Sequence, residues 1–273
     1  LAIDVGAFTV TASLAAGEGA RQYADKIIKS NVDPQSVYVT KEKLRDSAGI
    51  SSGLKEYSED TTSYNGVSIK TLNADDLKTL SQIDGVDKVL PTYLIQTQYV
   101  KFQVSDTRYT SDVMTYDPTV LASVAAGELP ELGTQIGADE AVIPESYVEA
   151  LGGTAQSLIG KTVTLHLVKT GRQPTQDELQ KAFAQGGTAA MQALFVQETK
   201  DVALKIRAVS AKSSTSFSAS AAVFISDKKA EELSNYLTEG TSNYKQYMSA
   251  TAIVKKGVDP EMVKASIKAK DMS

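Results

Sequence analysis

Two segments of this chain alternate strictly enough to constrain the fold before anything else is considered. Val163, Leu165 and Leu167 alternate with Thr164, His166 and Val168. Val202, Leu204, Ile206 and Ala208 alternate with Ala203, Lys205 and Arg207. A period of two puts every second side chain on one face, so each segment reads as a half-buried strand and the two are expected to pair. The stretch between them has a helical period instead. Thr175 followed by Glu178 is a capping box ahead of Leu179, Ala182 and Phe183, and residues 189–195 read as a second short helix. A helical insertion between paired strands has little core within reach. Its apolar residues Leu179, Phe183, Met191, Leu194 and Phe195 are therefore a candidate partner surface.

The rest of the chain alternates short strands with short helices. Residues 36–40 form a strand, and residues 41–66 are polar and read mostly as an irregular insertion. Asn73 with Asp76 caps a helix through Leu80 that ends near Gly85. Residues 86–104 read as one long β segment, bent or at an edge where Pro91 sits. Asp117-Pro118 reads as an N-cap and first-turn proline opening a helix through Val124. A strand at 141–143 ends at Pro144, and a short helix at 145–151 is closed by Gly152-Gly153. A strand at 221–225, a helix at 227–237, a strand at 249–254 and a helix opened by Asp259-Pro260 complete the pattern. The β-α-β units at 36–104 and 221–255 suit one four-stranded α+β sheet with the middle of the chain inserted in it.

Composition removes whole classes of function. The chain of 273 residues has no cysteine, which excludes thiolate chemistry, zinc–thiolate sites and disulfides. His166 is the sole histidine, so no mechanism needing two imidazoles is available. A net charge of −5 without a basic stripe argues against nucleic acid as a partner. Hydrophobic residues make up 42%, enough for a packed core. There is no phosphate-cradling glycine loop and no G-x-S-x-G elbow. The acid pairs Glu59-Asp60, Asp75-Asp76, Asp139-Glu140 and Glu231-Glu232 lack calcium-loop spacing. His166 reads as an exposed strand residue on the polar face. No cofactor, metal or catalytic residue is expected.

Residues 1–16 are apolar or small except for Asp4. As a helix they span about 24 Å, short of the roughly 30 Å hydrocarbon core of a bilayer. They read either as a buried helix or as the outer end of a transmembrane helix. Gly17 and Gly19 break or bend the segment, and the helix at 21–30 follows.

The order of several short patterns resembles the extracytoplasmic, periplasmic core domain of MacB/FtsX-like ABC transporter permeases. They begin with the apolar segment and the helix ending at Ile27-Ile28, then Val37-Tyr-Val39. Asp75-Asp-Leu comes next, with Val86, Val89 and Pro91 entering a long strand. Ala141-Val-Ile-Pro144, Leu158-Ile-Gly-Lys161-Thr-Val, Ala221-Ala-Val-Phe-Ile225 and Thr251-Ala-Ile-Val-Lys-Lys-Gly-Val258 follow. The insertions at 41–66 and 171–198 and the charge of Asp4 depart from the family pattern. The resemblance implies an α+β fold: a discontinuous Porter-like split β-α-β platform, residues 31–104 plus 221–273, with a β-rich Sabre-like subdomain, 105–220, inserted in it. Residues 1–30 become the membrane-proximal segment and stalk, with Gly17 and Gly19 as a candidate hinge. The resemblance also implies an ABC ATPase subunit or domain in the cytoplasm, reached through transmembrane helices outside this chain. A homo- or heterodimeric permease follows, with an exported substrate that the sequence does not name. The expected function is non-catalytic: ATP hydrolysis coupled mechanically to export or release of a lipid, peptide or lipoprotein. Alternatives are a peptide-binding or sensing module, or a regulator of a cell-wall hydrolase.

Overall fold

Short apolar runs punctuated by proline, glycine and capping residues dictate short elements. The computed structural model describes residues 32–41, 61–64, 67–169, 174–195, 197–211 and 222–273. Strand β1 (Ser36–Val39) comes first, and β2 (Thr61–Tyr64) pairs antiparallel with β3 (Val67–Lys70). Helix α1 (Ala74–Ser81) leads to β4 (Val86–Thr92), β5 (Leu94–Ile95), β6 (Tyr99–Phe102), β7 (Arg108–Tyr109) and β8 (Asp112–Thr115). Next are β9 (Val124–Gly127), β10 (Glu140–Pro144), a 3-10 turn (Glu145–Tyr147), α2 (Val148–Leu151) and α3 (Ala155–Leu158). The last third holds β11 (Thr162–Val168), α4 (Gln176–Ala193), β12 (Thr199–Ser210), β13 (Ala222–Ile225), α5 (Asp227–Thr238), β14 (Ser249–Val254) and α6 (Pro260–Lys268). The fold is α+β.

Among the described residues the strands form two principal sheets. The small one has the order β1-β14-β4, all antiparallel. The large one has nine strands in the order β5-β8-β13-β10-β12-β11-β6-β7, with β9 added on β12. The chain changes sheets at Tyr93: Thr92 pairs with Ser249 in the small sheet, and Leu94 pairs with Met114 in the large one. The expected single β segment at 86–104 is thus three strands. Tyr93 bends out of both ladders, and its amide bonds the Thr115 hydroxyl at 2.8 Å.

Three further expectations are corrected. The strand at 222–225 lies in the large sheet between β8 and β10, so the described small sheet has three strands, not four. Ala222, Val223 and Ile225 are all buried, and a strand apolar on both faces belongs where both faces are covered. Asp117-Pro118 opens a turn and not a helix. Asp117 bonds the amide and hydroxyl of Thr119, two residues on, and Val120 bridges to Val32. An Asx turn and a helix N-cap draw on the same residue type, and the bridge to Val32 favours the turn. Within the 41–66 insertion, residues 61–64 are a strand; residues 42–60 and 65–66 lie outside the described residues.

The expected hairpin is present. β11 and β12 pair antiparallel from Thr162↔Lys205 to Val168↔Thr199. Val163, Leu165, Leu167, Leu204 and Ile206 face a core that runs continuously under both sheets. The regular phase ends at a bulge, where Ala141 opposes Ile206 but Val142 opposes Ala208. An extra residue, Arg207, shifts every later side chain to the other face. Val209 joins the main core, while Ala208 joins a second cluster with Tyr116, Ile136 and Val142. Ala208 therefore does not share the face of Ile206, as unbroken alternation requires.

α1 packs on β4 and α6 on β1, burying Leu80, Val263 and Ile267. Fully burying one such side chain contributes about 1.5–3 kcal/mol. α5 packs on β4, β5 and β8, so one helix spans both sheets.

Candidate functional site

The capping box forms as the sequence predicts: Thr175 Oγ1 accepts from the Glu178 amide, and the Glu178 carboxylate accepts from the Thr175 amide at 2.8 Å. Helix α4 rises from the open end of the β11–β12 hairpin, where the Lys169 amide bonds the Glu198 carbonyl at 2.8 Å. The two expected helices run together across a kink at Gly186-Gly187. Gly187 has φ 62° and ψ −151°, a backbone region open essentially to glycine alone.

No residue of α4 is buried. Phe183 is 57% exposed, Phe195 58% and Leu194 42%, whereas Leu179 and Met191 are half-buried. Three of the five residues singled out from the sequence are thus exposed, and two are half-buried. Gly17 and Gly19 lie outside the described residues.

The base of the insertion is tied to α5 by charge. Glu232 accepts from Lys200 of β12 at 2.9 Å and from Lys229 at 2.8 Å. The bond from Lys229, then that from Lys200, holds its carboxyl below the usual pKa. Arg207, the bulged residue, donates to both carboxylate oxygens of Glu140 at 3.1 and 2.9 Å and to the Glu128 carbonyl at 2.9 Å. Burial raises the pKa of Glu140, but the Gly137 amide and Arg207 outweigh it, and the net direction is down. Asp75 and Asp76 lie in the first turn of α1, where the helix dipole favours negative charge.

His166 is not the freely exposed residue expected. Its Nδ1 lies 2.5 Å from Asp201 Oδ1, its directly paired neighbour on β12. Its ring stacks on Tyr99 at 4.3 Å, and Arg108 covers the far side of Tyr99 at 4.6 Å. No serine or threonine hydroxyl bonds the imidazole among the described residues. No cluster of three metal-ligating side chains is found among them either.

The family of MacB-like periplasmic core domains matches residues 1–270. The chain belongs to that family. As a MacB-like domain it is an extracytoplasmic part of an ABC transporter permease. No curated protein matches it. Among solved structures it is similar to the periplasmic region of MacB from Actinobacillus actinomycetemcomitans, at 12% identity and TM-score 0.45, over 90% of each chain. A domain described as that of a permease protein from Porphyromonas gingivalis matches at 16% identity and TM-score 0.38, over 71% of this chain and 72% of that one. The extracellular domain of the ABC-type transporter YknZ from Gram-positive bacteria matches at 10% and 0.37, over 74% and 86%. No described helix of this MacB-like domain is long and apolar enough to cross a membrane.

Proposed function

We propose that this MacB-like domain is a mechanical part of its permease. It carries motion from ATP hydrolysis in a cytoplasmic ABC subunit or domain to the export or release of a lipid, peptide or lipoprotein. Thr40 and Ser273 supply the observation that carries this reading. The Thr40 amide donates to the Ser273 carbonyl at 2.7 Å, and the Ser273 amide returns a bond to the Thr40 carbonyl at 2.9 Å. The end of β1, the first strand after the stalk expected at 1–30, is therefore tied to the segment following α6 at the small sheet. In this reading a pull through the stalk moves that sheet as one body, and α5, packed on both sheets, passes the motion to the large one. The small sheet then belongs to the Porter-like platform, residues 31–104 plus 221–273, of a dimeric permease, and residues 105–220 are the Sabre-like subdomain inserted in it. The domain itself performs no chemistry.

This chain has no cysteine, so single engineered cysteines in it are clean reporters once any cysteines elsewhere in the full-length protein are replaced. Spin labels at the exposed positions Asp87→Cys on β4 of the small sheet and Ala203→Cys on β12 of the large one are placed in the full-length protein purified from its native membranes. The expected result is a co-purifying or fused ABC ATPase and an inter-label distance that changes on ATP addition. A full-length protein free of any ATPase overturns the reading.

The exposed Phe183, Leu194 and Phe195 favour a second reading, a peptide-docking role for the insertion. Deleting residues 171–198 is then expected to abolish saturable peptide binding. Binding that survives the deletion excludes this surface.

A further inference from the structure

The two sheets do not close fully on each other. A cavity of about 380 Å³ lies between them, in the size range of small-molecule sites. Its floor is the face of the large sheet opposite the main core, where Met114, Phe224 and Val142 stand side by side on β8, β13 and β10. Its opposite wall comes from the small sheet, through Tyr38 and Ser249. Tyr38 is 52% exposed and forms a lip.

The polar groups are few. Tyr116 and Ser249 both line the cavity and are 7% and 1% exposed. Neither hydroxyl bonds another described residue, and neither belongs to the buried polar atoms left without a partner, so both are open to the cavity. Burial, and after it the neighbouring Asp117, raises the pKa of Tyr116, so its phenol stays protonated and able to donate. Asp117 also lines the cavity. Its Oδ1 accepts from the Thr119 amide and hydroxyl at 2.9 and 2.6 Å, and its Oδ2 from the Thr251 hydroxyl at 3.2 Å. No cation pairs with Asp117 among the described residues; the nearby Arg207 is engaged by Glu140. The site is thus apolar over most of its wall. It presents two hydroxyls open to the cavity and one carboxylate that no cation pairs with among the described residues.

We propose that this inter-sheet cavity binds an apolar amine, an alkylammonium whose hydrocarbon body lies over Val142 and Phe224 and whose ammonium is met by Asp117. Charge complementarity selects the cation over a matched acid or alcohol. The Tyr38 ring at the lip offers a second favourable face to the ammonium. Because the ligand touches both sheets, it binds the closed arrangement and not one in which they separate. The proposal is independent of the transport reading, since it concerns occupancy of the chain itself.

The test is calorimetric titration of the purified chain with decylammonium, decanoate and decanol, all below micelle-forming concentrations. Decylammonium is expected to bind saturably at one site, with Kd at least tenfold below those of decanoate and decanol. Asp117→Asn keeps the acceptor for Thr119 but removes the charge, and is expected to raise the decylammonium Kd at least tenfold. Ala122→Trp, a half-buried position on the cavity wall, fills the space and is expected to abolish binding while circular dichroism and melting stay near wild type. Equal affinity for the three probes, or unchanged decylammonium binding by a folded Ala122→Trp chain, overturns the proposal. If Asp117→Asn does not fold, Ala122→Trp and the probe series decide it alone.

Discussion

The Asp117 carboxylate accepts a hydrogen bond from the Thr251 hydroxyl at 3.2 Å, joining a turn after strand β8 of the large sheet to the central strand of the small one. Thr251 is 3% exposed, so the donor side of this part-buried bond is shielded from water. Thr251→Val keeps the shape and removes the donor, and is expected to cost about 0.5–1.5 kcal/mol. Asp117→Ala is expected to cost more, because it also frees the Thr119 amide. Urea unfolding followed at two wavelengths checks both. A larger loss for Thr251→Val than for Asp117→Ala contradicts the assignment.

Glu140 sets an acid limit. Its folded pKa lies below the ordinary value of roughly 4.3. Its stabilising contribution is therefore present above that value and is lost as pH falls through the lowered one. Arg207→Met removes the bidentate partner and is expected to move the acid-unfolding midpoint to higher pH. Both side chains are about a third exposed, at 33% and 31%, so added salt should narrow the difference. An unchanged midpoint at low salt refutes the assignment.

Tyrosines set an alkaline limit. Burial, acting first in every case, raises the pKa of Tyr93, Tyr116, Tyr147 and Tyr247. Their contribution is full below the unfolded value of about 10 and is lost as pH rises through the raised folded values. Cooperative unfolding above that pH, coincident with tyrosinate absorbance at 295 nm, is the expected result. Tyr93→Phe keeps the edge-to-face contact with Tyr247, centroids 5.4 Å apart, and is expected to move the transition to higher pH.

Gly127 and Gly240 share left-handed backbones, φ +75° and +82°, but not their surroundings. A Cβ at Gly240 meets nothing within 4 Å, whereas one at Gly127 would lie 2.2 Å from the Arg207 carbonyl oxygen. Gly240→Ala should therefore cost only the conformational penalty of about 1–2 kcal/mol. Gly127→Ala must also displace β9 from β12 and should cost clearly more. Equal melting temperatures for the two variants rule out the close approach.

Core and insertion should respond oppositely. Leu165→Ala opens a cavity beneath the hairpin and is expected to cost about 2–5 kcal/mol. Phe183→Ser on α4 should stay within about 0.5 kcal/mol and reduce self-association or peptide binding. Stability loss on Phe183→Ser places the insertion in the core.

The elements whose signals are local were legible. The Thr175–Glu178 and Asn73–Asp76 capping boxes form as read, because both partners lie within one turn of chain. The hairpin of Leu165 and Leu204 pairs as read, because alternation of period two has one way to bury its apolar face. The exposed group Phe183, Leu194 and Phe195 was also legible, since a helix inserted between paired strands has no second layer to cover it. The inter-sheet cavity had no such signal: Tyr38, Tyr116, Val142, Phe224 and Ser249 come from separate strands and loops and share no spacing.

By itself, then, the sequence determined the helices capped at Asn73 and Thr175, the β11–β12 hairpin and the family to which the chain belongs. Tertiary structure alone decided which sheet each strand joins, that Asp117 makes a turn, and that the chain flips phase at Arg207. The physical reason is common to all three. A strand's partner, a turn's bridge and a bulge's register depend on contacts with residues tens of positions away: Arg207 with Glu140, Val120 with Val32, Asp117 with Thr251. Period and capping, which act within one or two turns of chain, do not report such contacts.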